Sequence, residues 1–284
     1  METLFLSEEF KQAWRHTDPF AEVFRLQGRV FRRGVGRKTL CFELNGKSYF
    51  AKIHNGVGWG EILKNLLQLK RPAVGADQEW RAIRHLRAIA VPTMTVAAFG
   101  SRGINPARRH SFIITEALID TVSLEDFTRD WPLRPPAHRL KVALIEQVAT
   151  ITRQMHASGM NHRDCYICHF LLDLSSSVKD GITAPIRIYL IDLHRAQIRA
   201  RVPHRWRIKD LAGLYFSAMD IGLTKADRVR FIRVYERRAL CEVDPVLWKT
   251  VARKAMRLYR KEQGRLDGRS VGSDKQSEQC QFPL

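Results

Sequence analysis

The stretch MNHRDCYICHF, residues 160–170, constrains this chain more than any other, because it is a polar loop enclosed by two strongly patterned segments. After the loop, the apolar runs FLLDL and IRIYLIDL predict a β hairpin. Before it, apolar residues recur at helical spacing and stop at Gly159, which suits the left-handed conformation that ends many helices; they are Leu140, Leu144, Val148, Ile151 and Met155. A helix, a loop and a hairpin in succession favour an α+β protein.

Two chemical signatures overlap in this loop. From Cys165 it is C-x-x-C-H, the pattern that attaches a c-type haem, and His162, Cys165, Cys168 and His169 are also residue types found in tetrahedral metal sites. From His162 it is H-R-D with a histidine five residues after the aspartate, close to the catalytic loop of kinase-like phosphotransferases. Because c-type haem is attached after export and METLFLSEEFKQAW lacks the features of a secretory signal, the haem interpretation is disfavoured.

The composition favours an intracellular protein with an anionic partner or substrate. The chain has 284 residues, of which 48 are Lys or Arg and 29 are Asp or Glu, so its formal charge is +19. Nucleic acid, anionic lipid, a phosphorylated sugar or an acidic protein would each suit such a surface. The odd number of cysteines, five, favours a reducing compartment over a disulfide framework. No apolar run is long enough to predict a membrane span, and we expect a cytoplasmic location.

The elements flanking the loop can be placed along the chain. Residues 28–52 predict an antiparallel β meander with a tight turn at Asn45-Gly46. Helices are predicted at Glu61–Leu69 and at residues 76–90, and the C-terminal region is predicted to be mainly helical. Strands are expected at residues 95–99 and 111–116.

This order of elements predicts a two-lobed protein-kinase-like fold of the α+β class. The N-lobe, residues 1–116, would hold an antiparallel β sheet with a helix and bind the ATP phosphates. The C-lobe, residues 117–261, would be mainly helical and carry the catalytic loop, the metal site and the acceptor site. Residues 262–284 are rich in Gly, Ser and Gln, and they predict a flexible tail.

Lys52 and Glu79 form the predicted phosphate-binding pair. Lys52 leaves the third strand of the meander, where its ammonium group could reach the α and β phosphates of ATP. Glu79 shares a helical face with the apolar residues Ile83 and Leu86, and a carboxylate on such a face requires a cation. Glu61 is the alternative acid, and an ordinary edge-strand lysine is the alternative for Lys52.

Three further residues are predicted to take part in phosphoryl transfer. Asp164 is the expected catalytic base, which would accept a hydrogen bond from the attacking hydroxyl. Asp192, at the end of a strand, would bind Mg²⁺ through carboxylate oxygen. His169 stands where an Asn normally completes the metal site, and since imidazole is a poor Mg²⁺ ligand, contact with metal, phosphate or water stays open.

The nucleotide itself is expected to contact the backbone at two places. Gly34 and Gly36 fit a loop that lets backbone N–H groups approach phosphate. The strand IITEAL would lead into the hinge, where backbone groups near Glu116 and Leu118 would pair with the adenine edge. The alternative for IITEAL is a simple core strand.

The segments NHRDCYICHFLL, IDLHRAQIRARVPHRWRIKDLAGLYFSAM and ELNGKSYFAK resemble the bacterial lipopolysaccharide core heptose(I) kinases, the WaaP/RfaP family. The resemblance covers the chain up to about residue 262. It implies an enzyme that uses ATP and Mg²⁺ to phosphorylate O4 of the first inner-core heptose of the lipid A–core precursor. It also implies a peripheral position at the cytoplasmic face of the inner membrane. By position, Asp164 would be the base, Lys52 the phosphate lysine and Asp192 the metal ligand.

The basic segment after Asp192 is the predicted acceptor site. Arg199, Arg201, Arg205 and Arg207 would bind phosphates and carboxylates of the acceptor, while the alternative is a solvated or membrane-facing charge patch. An acidic carrier protein is a further possible partner. The alternative functions are a protein (tyrosine) kinase or small-molecule kinase of the same fold, and a basic nucleic-acid-binding module. The absence of a known nucleic-acid-binding motif argues against the last, so no nucleic-acid partner is expected.

Overall fold

Two units make up the chain, and the first is organised by a six-stranded antiparallel sheet. The computed structural model describes residues 2–34, 36–56, 58–59, 75–105, 107–175, 186–238 and 242–270. The first unit contains Met1–Ile119 and Leu190–Ile198, and the second contains Asp120–Tyr189 and Arg199–Leu284. The sheet has the order β1-β5-β6-β4-β3-β2; its strands are β1 (Glu2–Leu6), β2 (Arg29–Gly34), β3 (Arg37–Leu44), β4 (Lys47–Asn55), β5 (Val96–Arg102) and β6 (His110–Glu116).

The predicted turn at Asn45-Gly46 is confirmed. Leu44 and Lys47 pair across the end of β3 and β4, and the two turn residues have φ values of 52° and 75°. Positive φ at both central positions is the geometry of the type I′ turn, in which Asn-Gly is favoured. The turn fixes the register in which Thr39 lies opposite Lys52.

Among the described residues of the first unit, three helices pack with this sheet: α1 (Glu8–Ala13), α2 (Pro19–Arg25) and α3 (Asp77–Ala88). Helix α3 agrees with the helix predicted at residues 76–90, and its buried side chains include Ala82, Ile83 and Leu86, which recur at helical spacing. The helix predicted at Glu61–Leu69 lies outside the described residues. The sheet and the first two helices enclose an aromatic core that includes Phe10, Trp14, Phe20, Phe42, Tyr49 and Phe112.

The second unit is mainly helical. Helix α5 ends at Ala157, and Gly159 just beyond it has a φ of 85°, the left-handed conformation expected there. The helices are α4 (Leu124–Phe127), α5 (His138–Ala157), α6 (His204–Ser217), α7 (Lys225–Glu236) and α8 (Pro245–Ser270), and a core of apolar side chains from α5, α6, α7 and α8 joins them.

Short strands complete both units. The predicted hairpin corresponds to β9 (Phe170–Asp173) and β10 (Ile188–Leu190), which adjoin β7 (Thr121–Ser123) in the order β10-β9-β7. The remaining elements are β8 (Met160–Asn161), β11 (Gln197–Ile198) and two 3₁₀ helices, Ile167–His169 and Leu193–Arg195.

Helix α8 continues to Ser270, nine residues into the segment for which the sequence predicts a tail. An ion pair between Arg265 and Glu262 at 3.5 Å, three residues apart, supports the first of the additional turns. Residues 271–284 lie outside the described residues. No helix in the described part of the chain combines the length and the apolar composition needed to cross a membrane.

Candidate functional site

Lys52 and Glu79 are paired in the first unit. The Lys52 Nζ atom lies 2.7 Å from Glu79 Oε1 and 3.5 Å from Asp192 Oδ1. The Glu79 side chain is only 2% exposed, so its carboxylate depends on this cation. Burial alone would lower the pKa of Lys52, but the two carboxylates outweigh it and raise that pKa above its ordinary value. Glu61, the alternative partner, lies outside the described residues.

Asp192 follows β10 in a conformation that few residues other than glycine adopt. Its φ of 59° and ψ of 51° are left-handed, and the 3₁₀ helix Leu193–Arg195 begins immediately after it. His194 Nδ1 lies 2.7 Å from the same Oδ1 atom that faces Lys52. Asp192 therefore presents a carboxylate on a sharply bent backbone, with a histidine and a lysine beside it.

The first turn of α3 connects these groups through three consecutive side chains. Asp77 Oδ1 accepts a hydrogen bond of 2.7 Å from Arg109 Nη2, whose Nε donates to Ser101 Oγ on β5 at 2.8 Å. Gln78 donates to the backbone carbonyl of Ala196, next to the 3₁₀ helix that follows Asp192. Glu79 holds Lys52. The start of α3 is thus attached to the sheet, to the Asp192 segment and to the lysine.

The loop that carries Asp164 is held through its backbone. Asp210 of α6, which is completely buried, accepts hydrogen bonds from the backbone N–H groups of His162 at 2.6 Å and Arg163 at 2.7 Å. Burial would raise the pKa of Asp210, but its hydrogen bonds and its proximity to His156 lower it. These bonds support Arg163 in a left-handed conformation with a φ of 78°. The sequence analysis did not identify Asp210 as a functional residue.

Asp164 and His169 are connected within this loop. His169 Nδ1 lies 2.7 Å from the backbone carbonyl oxygen of Asp164, and since a carbonyl only accepts, Nδ1 is the donor. In the neutral ring Nε2 then carries the lone pair. The His169 ring also stacks on His162, with 5.5 Å between centroids. The Asp164 carboxylate lies 3.8 Å from Lys209 Nζ.

The loop cysteines do not form a metal centre. Cys165 is buried, and burial raises its pKa well above the ordinary value, which leaves it as an inert thiol. Within the described residues, no group of three or more His, Cys, Asp and Glu side chains could hold a metal ion. The alternative of a tetrahedral site at His162, Cys165, Cys168 and His169 is therefore wrong.

The predicted nucleotide contacts receive different local geometries. Gly34 ends β2 with open space where a Cβ atom would stand, whereas Gly36 has a φ of 65°, which favours glycine. The Glu116 N–H group donates to the Thr95 carbonyl and the Ala117 N–H group donates to the Ser48 carbonyl, each at 2.9 Å, so both groups are already hydrogen-bonded within the first unit. The contacts of Gly34, Gly36, Glu116 and Leu118 with nucleotide stay predictions.

The four arginines predicted to bind the acceptor fall into two groups. Arg199 donates to Asn161 Oδ1 at 2.7 Å, and Arg207 donates to Glu236 Oε1 at 3.1 Å, so both have partners within the second unit. Arg201 and Arg205 are exposed. The run of arginines in the sequence does not predict this difference, because the difference depends on which residues the fold places next to each arginine.

A family model and individual known proteins point to the same family. Residues 21–235 match the model of the family described as "Lipopolysaccharide kinase (Kdo/WaaP) family". A protein from Pseudomonas aeruginosa named lipopolysaccharide core heptose(I) kinase WaaP is 54% identical over 263 residues, which cover 92% of this chain and 97% of that protein. An Escherichia coli protein of the same name is 57% identical over 230 residues, covering 81% of this chain and 86% of its own.

A solved structure entitled "WaaP in complex with acyl carrier protein" is similar to most of this chain. Its sequence is 49% identical, the TM-score is 0.78, and the match covers 90% of this chain and 99% of the other. This likeness, with the antiparallel sheet and the helices described above, confirms the predicted α+β, kinase-like fold.

Proposed function

This chain belongs to the lipopolysaccharide kinase (Kdo/WaaP) family, and from that premise we propose a residue-level mechanism for its transfer of phosphate to a heptose. It is a phosphotransferase that uses ATP and acts on the first heptose of the lipopolysaccharide core. The proposed acceptor atom is O4 of that heptose. The observation that carries the mechanism is the pairing of Lys52 with Glu79 beside Asp192.

Lys52 is proposed to bind the phosphates of ATP. Glu79 fixes its ammonium group and keeps it charged, since the two carboxylates nearby raise the Lys52 pKa. A fixed cation requires little reorganisation when negative charge develops on the leaving phosphate. Gly34 and Gly36 are proposed to lie along the phosphates, and the backbone near Glu116 and Leu118 to meet the adenine.

Asp192 is the proposed Mg²⁺ ligand. Its carboxylate oxygen is the donor type that Mg²⁺ prefers, and Mg²⁺ sites in phosphotransferases commonly use only one or two carboxylates. When bound, the ion would neutralise charge on the phosphate oxygens. His194 and Lys52 both approach the same Asp192 oxygen and so orient the carboxylate. His169 is kept as a proposed contact to metal, phosphate or water through Nε2.

Asp164 is the proposed base. Its carboxylate would accept a hydrogen bond from the attacking hydroxyl, orient it and take its proton as the O–P bond to the γ-phosphorus forms. The bond from that phosphorus to the β–γ bridging oxygen breaks, and ADP leaves. Asp210 holds the backbone of the two preceding residues, which limits the positions the carboxylate can occupy. Arg199, Arg201, Arg205 and Arg207 are proposed to contact anionic groups of the acceptor, with Arg201 and Arg205 the more accessible.

Two partners are proposed beyond the acceptor. The formal charge of +19 suits an acidic protein, and a relative has been captured with acyl carrier protein, so we propose that this chain also binds such a carrier. The same charge suits the anionic surface of the inner membrane, where the lipid A–core precursor would be presented at the cytoplasmic face.

Labelled ATP offered with three classes of acceptor tests the function. We expect label in heptose-containing core lipid and little in protein or aminoglycoside acceptors supplied at equal concentration. The position of the new phosphate on the heptose, read by NMR, tests O4. Preferential labelling of protein on tyrosine would overturn the proposed acceptor in favour of the protein-kinase alternative.

A further inference from the structure

Helices α5 and α7 lie side by side in the second unit, and charged side chains connect them. Lys141 Nζ of α5 lies 2.6 Å from Asp227 Oδ2 of α7. Further along both helices, Glu146 Oε1 of α5 lies 3.8 Å from Arg230 Nε of α7. Each of these contacts joins opposite charges, and the successive pairs advance along the two helices in the same direction.

At the C-terminal ends of the two helices, two arginines meet instead. Arg153 lies seven residues after Glu146, and Arg237 lies seven residues after Arg230, directly beyond the last residue of α7. Seven residues are close to two helical turns, so the same faces of the helices meet again there. Burial and the nearby charge of Arg237 both lower the pKa of the Arg153 guanidinium. We call Arg153 and Arg237 the arginine pair.

The charge of the arginine pair is not balanced by a neighbouring acid. Arg153 is half-buried, and its Nε atom is shielded from solvent without a hydrogen-bond partner among the described residues. No carboxylate in the described part of the chain forms an ion pair with Arg153 or Arg237. Glu236, next to Arg237 in the chain, accepts a hydrogen bond of 3.1 Å from Arg207. The seam between α5 and α7 therefore ends in two like charges, an arrangement that favours a bound anion.

We propose that the arginine pair binds a phosphate group. The oxygens of one phosphate group can accept hydrogen bonds from two guanidinium groups at once, and such charge-assisted bonds are stronger than neutral ones. The bound anion would give Arg153 a partner and remove the repulsion between the two cations. The inference is independent of the proposed function, which assigns neither arginine to ATP, Mg²⁺ or the heptose.

The arginine pair adjoins the side chains that anchor the H-R-D loop. His156, three residues after Arg153, lies 2.8 Å from the hydroxyl of Tyr235 and 3.3 Å from Asp210 Oδ2 through its two ring nitrogens. Tyr235 is two residues before Arg237. A phosphate group held by the arginine pair would fix the ends of α5 and α7 on either side of this hydrogen-bonded group. Binding should therefore stabilise the folded second unit.

Urea midpoints of the full-length protein, measured over a series of inorganic phosphate concentrations at constant ionic strength, test the proposal. The wild-type midpoint should rise with phosphate, and the dependence gives a Kd. Arg153→Gln and Arg237→Gln should each raise that Kd about tenfold, the loss of one charge-assisted hydrogen bond. Arg228→Gln, which removes an exposed arginine elsewhere on α7, is the matched control and should keep the wild-type Kd. Equal Kd values in all three variants would overturn the proposal.

The phosphate-free midpoints separate a binding role from a structural one. Without phosphate, Arg237→Gln should be at least as stable as the wild type, because the substitution removes a repulsive charge. If the midpoint of Arg237→Gln is instead lowered equally with and without phosphate, the arginine is structural and the proposal is overturned.

Vesicles identify the source of the phosphate group. Binding of the same proteins to phosphatidylcholine vesicles with and without phosphatidylglycerol is measured by sedimentation. If Arg237→Gln weakens binding to the anionic vesicles and Arg228→Gln does not, the phosphate belongs to a lipid headgroup. If Arg237→Gln changes only the inorganic phosphate Kd, the ligand is a free phosphate compound. If Arg237→Gln matches Arg228→Gln in both measurements, the proposal is overturned.

Discussion

In the first unit the Lys52 ammonium is held by side-chain carboxylates, whereas in the second unit the loop that carries Asp164 is held through its backbone. Glu79 contacts one atom of one side chain, at 2.7 Å. Asp210 instead accepts two backbone N–H groups, at 2.6 Å and 2.7 Å. A side-chain pair sets the charge and position of one group, while a backbone anchor sets the shape of a segment. Loss of the first should affect ATP chemistry, and loss of the second should affect folding.

Asp210→Ala should have the largest effect on stability. The substitution leaves two buried N–H groups without their acceptor, and we expect the free energy of unfolding to fall by about 4 kcal/mol. Urea denaturation measures it. Asp130→Ala is the control, because Asp130 is exposed, and its effect should stay within about 0.5 kcal/mol. Equal losses for the two variants would contradict the backbone anchor.

Glu79→Gln should impair ATP use while the protein stays folded. Lys52 would lose its nearest carboxylate and turn toward Asp192, where it would compete with the proposed Mg²⁺. We expect kcat/KM for ATP to fall about 100-fold, equivalent to about 3 kcal/mol. Glu43→Gln, an exposed change on β3, is the control and should keep the wild-type value. An unchanged kcat/KM in Glu79→Gln would show that the pair has no part in ATP use.

His54 should make the stability of the first unit depend on pH. Burial, with Arg37, Lys52 and His194 nearby, lowers the pKa of His54 to about 4. The His54 imidazole binds a proton more readily in the unfolded chain than in the folded protein. The free energy of unfolding should therefore fall as the pH falls from about 6.5 to about 4. By pH 5 the stability lost is about 2 kcal/mol at most.

Urea midpoints at pH 7.5 and pH 5 measure this contribution. His54→Gln should lose less stability than the wild type over that interval, because the substituted residue does not titrate. Parallel losses in the two proteins would show that His54 is not the group responsible.

Arg109→Gln should have a smaller effect on ATP use. Removing the ion pair of 2.7 Å with Asp77 loosens the start of α3 and hence Glu79. We expect the ATP KM to rise about fivefold, about 1 kcal/mol, with an unchanged acceptor KM. Arg109→Lys should restore part of the loss. The adjacent Arg108→Gln is the control, since Arg108 is exposed. A lower unfolding midpoint with an unchanged ATP KM would limit Arg109 to a purely structural role.

The same contrast explains what the sequence could predict. The pairing of Glu79 with Lys52 followed from helical periodicity, since Ile83 and Leu86 mark the buried face of α3. The turn at Asn45-Gly46 and the helix end at Gly159 followed from local backbone preferences. These features depend on neighbours in the chain and a repeating pattern, which a sequence displays directly.

The backbone anchor was not predictable in this way. Asp210 lies 47 and 48 residues from the N–H groups it accepts, and only the tertiary fold brings them together. Arg207 illustrates the same difficulty: it stands in one basic run with Arg205, yet pairs with Glu236 of α7. Periodicity identifies which face of a helix or strand is buried. It does not identify the residue, distant in the sequence, that contacts this face in the folded protein.

The rate of phosphate transfer by Asp164→Asn, at saturating ATP and core lipid, tests the central claim most directly. The amide is close in size to the carboxylate but is not a base, so we expect the rate to fall about 10²- to 10⁴-fold. ATP affinity, determined on the same sample, should match that of the wild type because Lys52 and Glu79 are intact. A transfer rate within tenfold of the wild type would contradict the assignment of Asp164 as the base.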